Sequence, residues 1–300
     1  MTLGLGIITR NSELDILKNC VASCLKGVDS VYITVADKEE PSQEMTDFVS
    51  SIGGHLSSFK WCDDFAAARN FNMSQCKDDW YVWADTDDEV VGMEKAKGFL
   101  SAVPSHTKFV LCTYNYSFMN GKPDVKHVKE RFIKNDGSHV WKGKVHETCV
   151  SEFQTGGVKC DDIVWNHRTT EGRSVESYKR NMDIAEKEVS EQITKDGKPD
   201  PRSLFNLGMA YCGLAQRTGK QEDWERALSV FARFVEIGEW DEHLFSAWKF
   251  MGICYSQINR LDLALNAYFQ CLRLKPQYSD AHAALARTYD GLGDDEKAEA

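Results

Sequence analysis

Four acidic residues follow a short apolar run in the first third of the chain. Asp85, Asp87, Asp88 and Glu89 come directly after residues 80–84 (WYVWA), a run rich in β-formers that predicts a buried strand. Carboxylates packed this tightly repel one another, so they are tolerated mainly where a cation or a substrate neutralises them. The alternative is an acidic, solvated turn, because polar turns commonly end strands.

The elements before this cluster alternate between strands and helices. The sequence predicts strands at residues 3–8, 31–35, 56–61 and 80–84, and helices at residues 13–26, 42–52 and 64–76. Ser12, followed three residues later by Asp15, is expected to cap the first helix. This alternation predicts a Rossmann-like α/β domain with a parallel sheet and covering helices.

Polar residues recur at the ends of these predicted strands. Ligands of parallel sheets bind at the carboxyl ends of the strands, so residues at these positions are candidates for one site. They are Thr9, Asp37, Asp63, Asp64, Asp85 and Asp87, with Arg69 a turn or two into the following helix.

Residues 93–167 have a different pattern. A helix near residues 93–102 is followed by predicted strands at 108–118, 125–133, 145–153 and 161–167. The dipeptides Asn120-Gly121 and Asp136-Gly137 are hairpin signals, so a mixed or antiparallel edge is expected. This part supplies further candidates for the site, which are Arg131, Trp141, His146, Glu147 and His167.

The last third of the chain is predicted to be helical. A long helix from Arg173 ends at the break formed by residues 195–201, and a repeat pattern follows. Trp248, Gly252, Tyr255, Ala264, Tyr268 and Pro276 have the spacing of a tetratricopeptide repeat. Leu285, Tyr289 and Ala298 begin another copy, and Leu207, Gly208, Tyr211, Ala227 and Phe231 form an earlier one with a longer loop at residues 218–223.

Stacked repeats cover one another's apolar faces, so about three are expected at residues 201–300, the last incomplete. We expect further chain, a partner or a second copy of the protein to cover the last face.

The composition of the chain argues against several other kinds of site and function. The net charge of −10 argues against sequence-independent binding to nucleic acid phosphates. The ten cysteines are scattered singly with no CxxC pair, which indicates reduced core residues and neither a zinc site nor a disulfide framework. The sequence has no segment of the length and apolarity of a membrane span or signal peptide, so we expect a soluble, cytoplasmic protein.

Four segments, in order, resemble motifs of the family 2 glycosyltransferases that are fused to tetratricopeptide repeats. Residues 61–70 (WCDDFAAARN) resemble W-x-D-D-F-A-x-A-R-N, and residues 83–87 (WADTD) resemble a hydrophobic D-x-D. Residues 141–147 (WKGKVHE) resemble W-x-G-x-V-H-E, and residues 165–167 (WNH) resemble the family's later histidine element. A lone D-x-D is weak, whereas four motifs in this order are specific.

The resemblance implies a GT-A domain over residues 1–172, a connecting helix and linker over 173–200 and the repeats over 201–300. It also implies a nucleotide-sugar donor, expected to be a UDP-sugar, held through Mn²⁺ or Mg²⁺. The implied metal ligands are Asp85, Asp87 and His167. The implied donor-binding residues are Thr9, Asp37, Asp64, Arg69, Asp85, Arg131 and Trp141.

Members of this family generally invert the anomeric centre, which requires one base to deprotonate the acceptor. Glu147 is the first candidate and His146 the second, with hydrogen bonding in a loop as the structural alternative for either. Trp141 is either a platform for a sugar or part of the core, and Arg131 either serves the phosphates or neutralises a nearby acid. Asp88 and Glu89 are expected to cap the next segment.

One departure from the family concerns the second strand. It ends in residues 35–40 (VADKEE) where the family often has V-D-T-G-S, so the base and the sugar cannot be carried over.

Three functions therefore compete. In the first, the repeats recruit a peptide or protein acceptor, since helical repeats offer a concave surface to extended peptides. In the second, the acceptor is a glycan, a lipid-linked sugar or a nucleobase, and the repeats serve assembly, including assembly of identical copies. The third is a scaffold with a degenerate transferase domain, which the intact acids and histidines oppose.

Overall fold

The chain forms two compact units. The computed structural model describes residues 1–151, 157–168, 175–294 and 298, and it divides into Met1–Gly172 and Arg173–Ala300. The end of the predicted strand at 145–153 and the predicted domain boundary at residues 172–173 lie outside the described residues. Among the helices described, none has the length and apolarity needed to cross a membrane.

The first unit is built on a mixed, eight-stranded sheet covered by helices. In chain order its strands are β1 (Leu3–Thr9), β2 (Ser30–Asp37), β3 (His55–Lys60), β4 (Trp80–Trp83), β5 (Asp88–Val91), β6 (Phe109–Asn115), β7 (Phe118–Met119), β8 (Lys122–Pro123), β9 (Lys126–Lys134), β10 (His139–Lys142), β11 (Thr148–Ser151) and β12 (Val158–His167). Its helices are α1 (Leu14–Cys24), α2 (Gln43–Ser51), α3 (Phe65–Gln75) and α4 (Ala96–Ala102). The predicted α/β sheet is thereby confirmed.

The strand order of the large sheet is β3-β2-β1-β4-β9-β6-β12-β5. The first four strands are parallel, which brings their carboxyl ends to one edge. Strand β9 is antiparallel to both of its neighbours, β4 and β6, and β5 is antiparallel to β12. The predicted change to a mixed sheet after residue 108 is therefore present, while β7–β8 and β10–β11 form separate two-stranded hairpins.

Strand β1 is central and buried, and its glycines allow helix α3 to approach it closely. Leu3, Leu5 and Ile7 are fully buried in the core. A Cβ at Gly6 would lie 2.2 Å from the Tyr81 ring and 2.3 Å from Asn72 Oδ1, so a larger residue would displace both. The close contact between α3 and the sheet thus depends on this glycine.

Two local predictions in this unit were wrong. Helix α1 begins at Leu14 after a 3₁₀ turn at Asn11–Glu13, and Arg10 and Glu13 form the capping interaction that was predicted for Ser12. Asp88 and Glu89 do not cap the next segment, because they begin strand β5. The two valines that follow these acids supply the β-propensity that outweighs them.

The second unit is all-helical. Its helices are α5 (Val175–Asp196), α6 (Pro201–Thr218), α7 (Gln221–Ile237), α8 (Asp241–Gln257), α9 (Leu261–Leu274) and α10 (Ser279–Leu292). In two successive helix pairs a glycine of the first helix meets an aromatic ring of the second: Gly208 meets Phe231, and Gly252 meets Tyr268. This recurring contact is the packing that the predicted repeat requires.

The connections in this unit differ from the prediction. The expected loop at residues 218–223 is short, because α6 continues to Thr218 and α7 begins at Gln221, with Gly219 in the left-handed conformation that ends a helix. Helix α5 does more than connect the units, since Met182, Ala185 and Val189 share a core with α6.

Candidate functional site

Helix α3 begins next to the loop that carries Glu147. Asp64 caps the helix, because its Oδ1 accepts a hydrogen bond of 2.8 Å from the Ala67 backbone N–H. The Phe65 N–H donates to the carbonyl oxygen of Lys144 at 3.0 Å. Asp64, predicted to bind the donor, therefore has a structural role at the start of this helix, and the neighbouring Phe65 contacts the loop.

Arg69, one turn into α3, bridges two carboxylates. Its Nη2 lies 2.5 Å from Asp85 Oδ1, and its Nε lies 2.5 Å from Glu147 Oε1. Arg69 is 5% exposed, whereas the side chains of Asp85 and Glu147 are 31% and 14% exposed, so the guanidinium is the buried centre of the bridge. The structure thus brings together three residues that are far apart in the sequence and were all predicted to belong to the site.

The opposite charges of Arg69 and its two carboxylate partners stabilise one another's ionised forms. Burial disfavours the ionised carboxylate of Asp85, but the guanidinium of Arg69, assisted by Arg131 and Lys129, holds its pKa well below the usual range. Burial likewise opposes the charged form of Arg69, and the two carboxylates raise its pKa above the usual value. Asp85 and Arg69 are therefore ionised throughout the physiological range.

A second group of polar side chains lies at the junction of β5 and β12. Ligand atoms of Asp87, Asp88 and His167 are all within 4.8 Å of one another. The strand register explains this, because β5 and β12 are antiparallel and His167 stands opposite Asp88. We call these three residues the acid–histidine group.

Several polar atoms of the acid–histidine group have no hydrogen-bond partner within the described part of the chain. They are Asp88 Oδ1 and both ring nitrogens of His167. His167 Nδ1 lies 3.4 Å from Asp87 Oδ1 and 3.9 Å from Asp88 Oδ1. Two carboxylates and a buried imidazole with unsatisfied atoms form a donor set that suits a divalent cation such as Mn²⁺.

The environment of His167 raises its pKa, so a cation that binds the imidazole must displace a proton. Burial lowers its pKa, but the nearby carboxylates of Asp87 and Asp88 outweigh burial and raise the pKa to about 9. The ring of Tyr116 stacks on the imidazole, with centroids 5.4 Å apart and planes 3° from parallel. This stacking fixes the plane of the imidazole beside the two acids.

Asp85 is not part of the acid–histidine group, although it was predicted as a metal ligand. Its side chain is directed to Arg69, while its backbone N–H donates to Asp88 Oδ2 at 3.0 Å. Asp87 and His167 are in the group, as expected, and Asp88 joins them. The role of Asp85 as a ligand stays a prediction.

Arg131 is fully buried, with 0% of its side chain exposed. Its Nη1 lies 3.2 Å from Asp88 Oδ2, and its guanidinium carbon lies 3.8 Å from the centroid of the Trp83 ring. Of the two predicted roles, this geometry favours neutralisation of a nearby acid, because the guanidinium is buried against the Asp88 carboxylate.

Trp141 is 3% exposed and packs edge-on against Trp83, with ring centroids 5.0 Å apart. The core alternative predicted for it therefore fits better than a platform for a sugar. Thr9 is also buried, and its hydroxyl donates to the Arg10 carbonyl at 3.3 Å. Asp37, at the end of β2, is only half-buried and receives hydrogen bonds from two backbone N–H groups.

The two candidate bases lie in a turn between β10 and β11. Gly143 and His146 have φ values of +93° and +55°, both in the left-handed region. This conformation is uncommon for a histidine and is often found at functional sites. The turn places the Glu147 carboxylate against Arg69.

Sequence reasoning named Asp88 but gave it a capping role, and it missed Lys129. The ammonium of Lys129, on β9, lies 5.1 Å from the Tyr114 ring and 5.9 Å from the Trp83 ring. Burial and the charge of Arg131 lower the pKa of Lys129. The spacing of Lys129 two residues before Arg131 was a usable signal, because alternate strand residues share a side, although the pairing of β9 with β6 is irregular at this point.

Comparison with known proteins identifies the helical repeat. Residues 247–281 match the family model described as tetratricopeptide repeat. Heat shock protein STI1 of Saccharomyces cerevisiae is 29% identical over 87 residues, which are 29% of this chain and 14% of that protein. A TPR repeat-containing protein of Synechococcus elongatus is 30% identical over 90 residues, 30% of this chain and 21% of that protein. The matches thus span less than a quarter of the length of these relatives.

Solved structures give weaker similarities. MamA AMB-1 aligns at 18% identity over 41% of this chain and 58% of its own, with a TM-score of 0.34. YrrB, a TPR protein with an unusual peptide-binding site, aligns at 26% identity over 41% and 56%, with a TM-score of 0.33. TarS of S. aureus aligns at 11% identity over 88% of this chain and 54% of its own, with a TM-score of 0.44. Scores this low do not establish a common fold for the whole chain.

Proposed function

We propose that this chain is a metal-dependent, inverting glycosyltransferase of family 2 with a GT-A domain. It moves a sugar from a nucleotide-sugar donor, expected to be a UDP-sugar, to a peptide or protein acceptor that the tetratricopeptide repeats recruit. The observation that carries the proposal is the convergence of two charged groups at one edge of the sheet. These are the acid–histidine group and the bridge of Asp85, Arg69 and Glu147.

The residues present fit a divalent cation. Asp87, Asp88 and His167 offer carboxylate oxygen and imidazole nitrogen, and buried atoms of Asp88 and His167 have no partner among the described residues. Imidazole suits Mn²⁺ better than Mg²⁺, so Mn²⁺ is the expected ion. When bound, the ion supplies positive charge that stabilises the departing nucleoside diphosphate.

The chain's own residues have distinct roles in this mechanism. Asp87 and His167 would hold the ion, Asp37 at the end of β2 would contact the nucleoside, and Glu147 would accept the proton of the acceptor as the sugar is transferred. Glu147 Oε1 is held by Arg69, so the carboxylate has a fixed direction and Oε2 is outside this bridge. A base held in this way avoids the entropy loss of orienting it during the reaction.

The polypeptide acceptor is supported by the repeat. Residues 247–281 match the tetratricopeptide family, and the helices stack as the repeat requires. Such arrays bind extended peptides on a concave surface.

Release of nucleoside diphosphate tests the proposal. The full chain with Mn²⁺ is expected to release UDP from at least one UDP-sugar in a panel, slowly to water and faster with an acceptor. Asp87→Asn should lower the rate on the order of a hundredfold, the scale on which losing one electrostatic contact to a transition state acts. Coupled detection of the nucleoside diphosphate gives the rate.

Asp15→Asn is the matched control, because the Asp15 side chain is 98% exposed and pairs with Lys18 on the surface of the same unit. Its rate should equal that of the wild type. An absence of both release and a thermal shift with every donor and metal would contradict the proposal and favour a scaffold.

A further inference from the structure

The two contacts of Arg69 use adjacent N–H groups of one guanidinium. Nε donates to Glu147 and Nη2 donates to Asp85, each at 2.5 Å. A guanidinium often pairs these groups with both oxygens of a single carboxylate, but here two carboxylates share them. Glu147 lies in the turn after β10 and Asp85 follows β4, so Arg69 joins two separate parts of the site.

The guanidinium of Arg69 is held between aromatic rings. Its central carbon lies 4.4 Å from the centroid of the Trp83 ring and 5.1 Å from that of the Trp141 ring. The next residue, Asn70, binds the Trp141 backbone twice, donating to its carbonyl at 3.0 Å and accepting from its N–H at 2.8 Å. Such contacts favour a fixed cation over one that swings out to a substrate.

Only an arginine can hold both carboxylates in this way. Carboxylates that lie this close repel each other unless a cation compensates them. The planar fork of arginine offers two directed donors on one edge, whereas the lysine ammonium is a compact point charge on a flexible stem. A lysine at position 69 would therefore keep the charge and lose the geometry.

We infer that Arg69 is a positioning residue that couples the carboxylate after β4 to the turn that carries Glu147, and that it does not bind the donor. The inference rests on the proposed function, because it takes Glu147 as the base. It replaces the donor-binding role predicted for Arg69.

The bridge also affects the acid–histidine group. Asp85 donates its backbone N–H to Asp88, so the two groups are directly linked. Replacing Arg69 with a neutral residue removes a positive charge near the acids and frees Asp85 Oδ1 as a further oxygen ligand. Both changes favour a divalent cation, because affinity rises with the charge and number of ligands.

The first experiment compares Arg69→Met and Arg69→Lys with wild type in the full chain. For Arg69→Met, we expect kcat of transfer to fall about a hundredfold, the effect of misplacing a catalytic group by about 1 Å, while the donor KM changes less than about threefold. Arg69→Lys, which reaches one carboxylate, should lose about tenfold in kcat. Lys18→Met, which removes an exposed cation of the same unit, is the control with unchanged kcat.

Titration with Mn²⁺ by calorimetry gives a readout that needs no turnover. The Kd of Arg69→Met for Mn²⁺ should be lower than that of wild type by about threefold to tenfold, since a carboxylate has been freed. A variant that was merely misfolded would bind Mn²⁺ more weakly. Tighter binding together with lost turnover is therefore specific to the bridge.

A double-mutant cycle tests whether Arg69 acts through Glu147. If it does, Arg69→Met combined with Glu147→Gln should have a kcat within about twofold of Glu147→Gln alone. Arg69→Met alone leaves two carboxylates unpaired, whereas the double variant leaves one. If Arg69→Met does not fold, the double variant and Arg69→Lys are used for the test.

Three results would overturn the inference: a donor KM raised more than about tenfold with kcat unchanged, losses that multiply in the double variant, or weaker Mn²⁺ binding in folded Arg69→Met. If wild type turns over no donor, the proposed function fails, whereas the Mn²⁺ titration still tests the bridge.

Discussion

At the scale of single residues, the site depends on two buried arginines with different surroundings. Arg69 serves two carboxylates, whereas Arg131 pairs with Asp88 at 3.2 Å inside a cage of aromatic rings. A buried ion pair contributes little net stability as a pair, but removing one partner leaves an uncompensated charge. Removing the charge of Arg131 should therefore lower the free energy of unfolding.

The first prediction concerns that pair. Arg131→Met should lower the free energy of unfolding by about 3–5 kcal/mol, because Asp88 is left charged and buried. Urea unfolding of the full chain, followed by tryptophan fluorescence, measures the change. Arg168→Met is the matched control, since Arg168 forms an exposed pair with Glu89. This replacement should lower the free energy of unfolding by no more than about 1 kcal/mol. Equal losses in the two variants would contradict this account of Arg131.

At the scale of elements, helix α3 organises the site. Three residues of one turn contact different parts of the unit: Arg69 binds the two carboxylates, Asn70 binds the β10 backbone, and Asn72 binds the sheet. The two N–H groups of Asn72 Nδ2 are shared among the carbonyl oxygens of Ile7 and Tyr32 and the Thr34 hydroxyl, and its Oδ1 accepts from the Tyr81 hydroxyl. This buried network sets the distance between α3 and the sheet.

A second prediction follows from this network. Asn72→Leu should lower the free energy of unfolding by about 1–3 kcal/mol, because the Tyr81 and Thr34 hydroxyls lose a buried partner. Thermal and urea unfolding give the value. Ser74→Ala on the exposed face of the same helix should stay within about 0.5 kcal/mol of wild type. A neutral Asn72→Leu would show that the network does not fix the helix.

The helices and strands could be predicted from the sequence more completely than the contacts between them. Helix α3 was expected at residues 64–76 and runs from Phe65 to Gln75, because the cap and the spacing are local signals. The bridge from Arg69 to Glu147 joins residues 78 positions apart and depends on the turn at Gly143 and His146, which no local pattern specifies. Strand β5 was missed because two acids precede its valines. The position of Asp88 opposite His167 was missed for the same reason.

At the scale of the whole molecule, the two units have separate hydrophobic cores. The core of the first unit lies around β1, β2 and β4, and that of the second lies between the helices from α5 onward. A change inside the helical core should therefore leave the chemistry of the first unit intact. This separation allows recruitment of the acceptor to be tested apart from turnover of the donor.

The third prediction uses Gly252 in the second unit. A Cβ at this position would lie 2.4 Å from the Tyr268 ring, so Gly252→Leu should destabilise the helical unit by about 1–3 kcal/mol or more through overpacking. We expect transfer to a peptide or protein acceptor to be lost, while release of UDP to water stays within about twofold of wild type. Mass spectrometry of the acceptor and detection of UDP give the two readouts.

Ala283→Leu, on an exposed position of α10, is the control for added bulk and should change neither readout. If Gly252→Leu measurably destabilises the helical unit and the acceptor is still fully modified, the repeats do not recruit the acceptor.

The central claim is that the edge of the sheet holds a divalent cation against a nucleoside diphosphate. Anomalous diffraction at the manganese edge from crystals grown with Mn²⁺ and UDP tests it most directly. The account predicts an anomalous peak within coordination distance of Asp87 and His167, with the diphosphate on the same ion. A Mn²⁺ peak away from these residues, or UDP bound elsewhere on the chain, would contradict it.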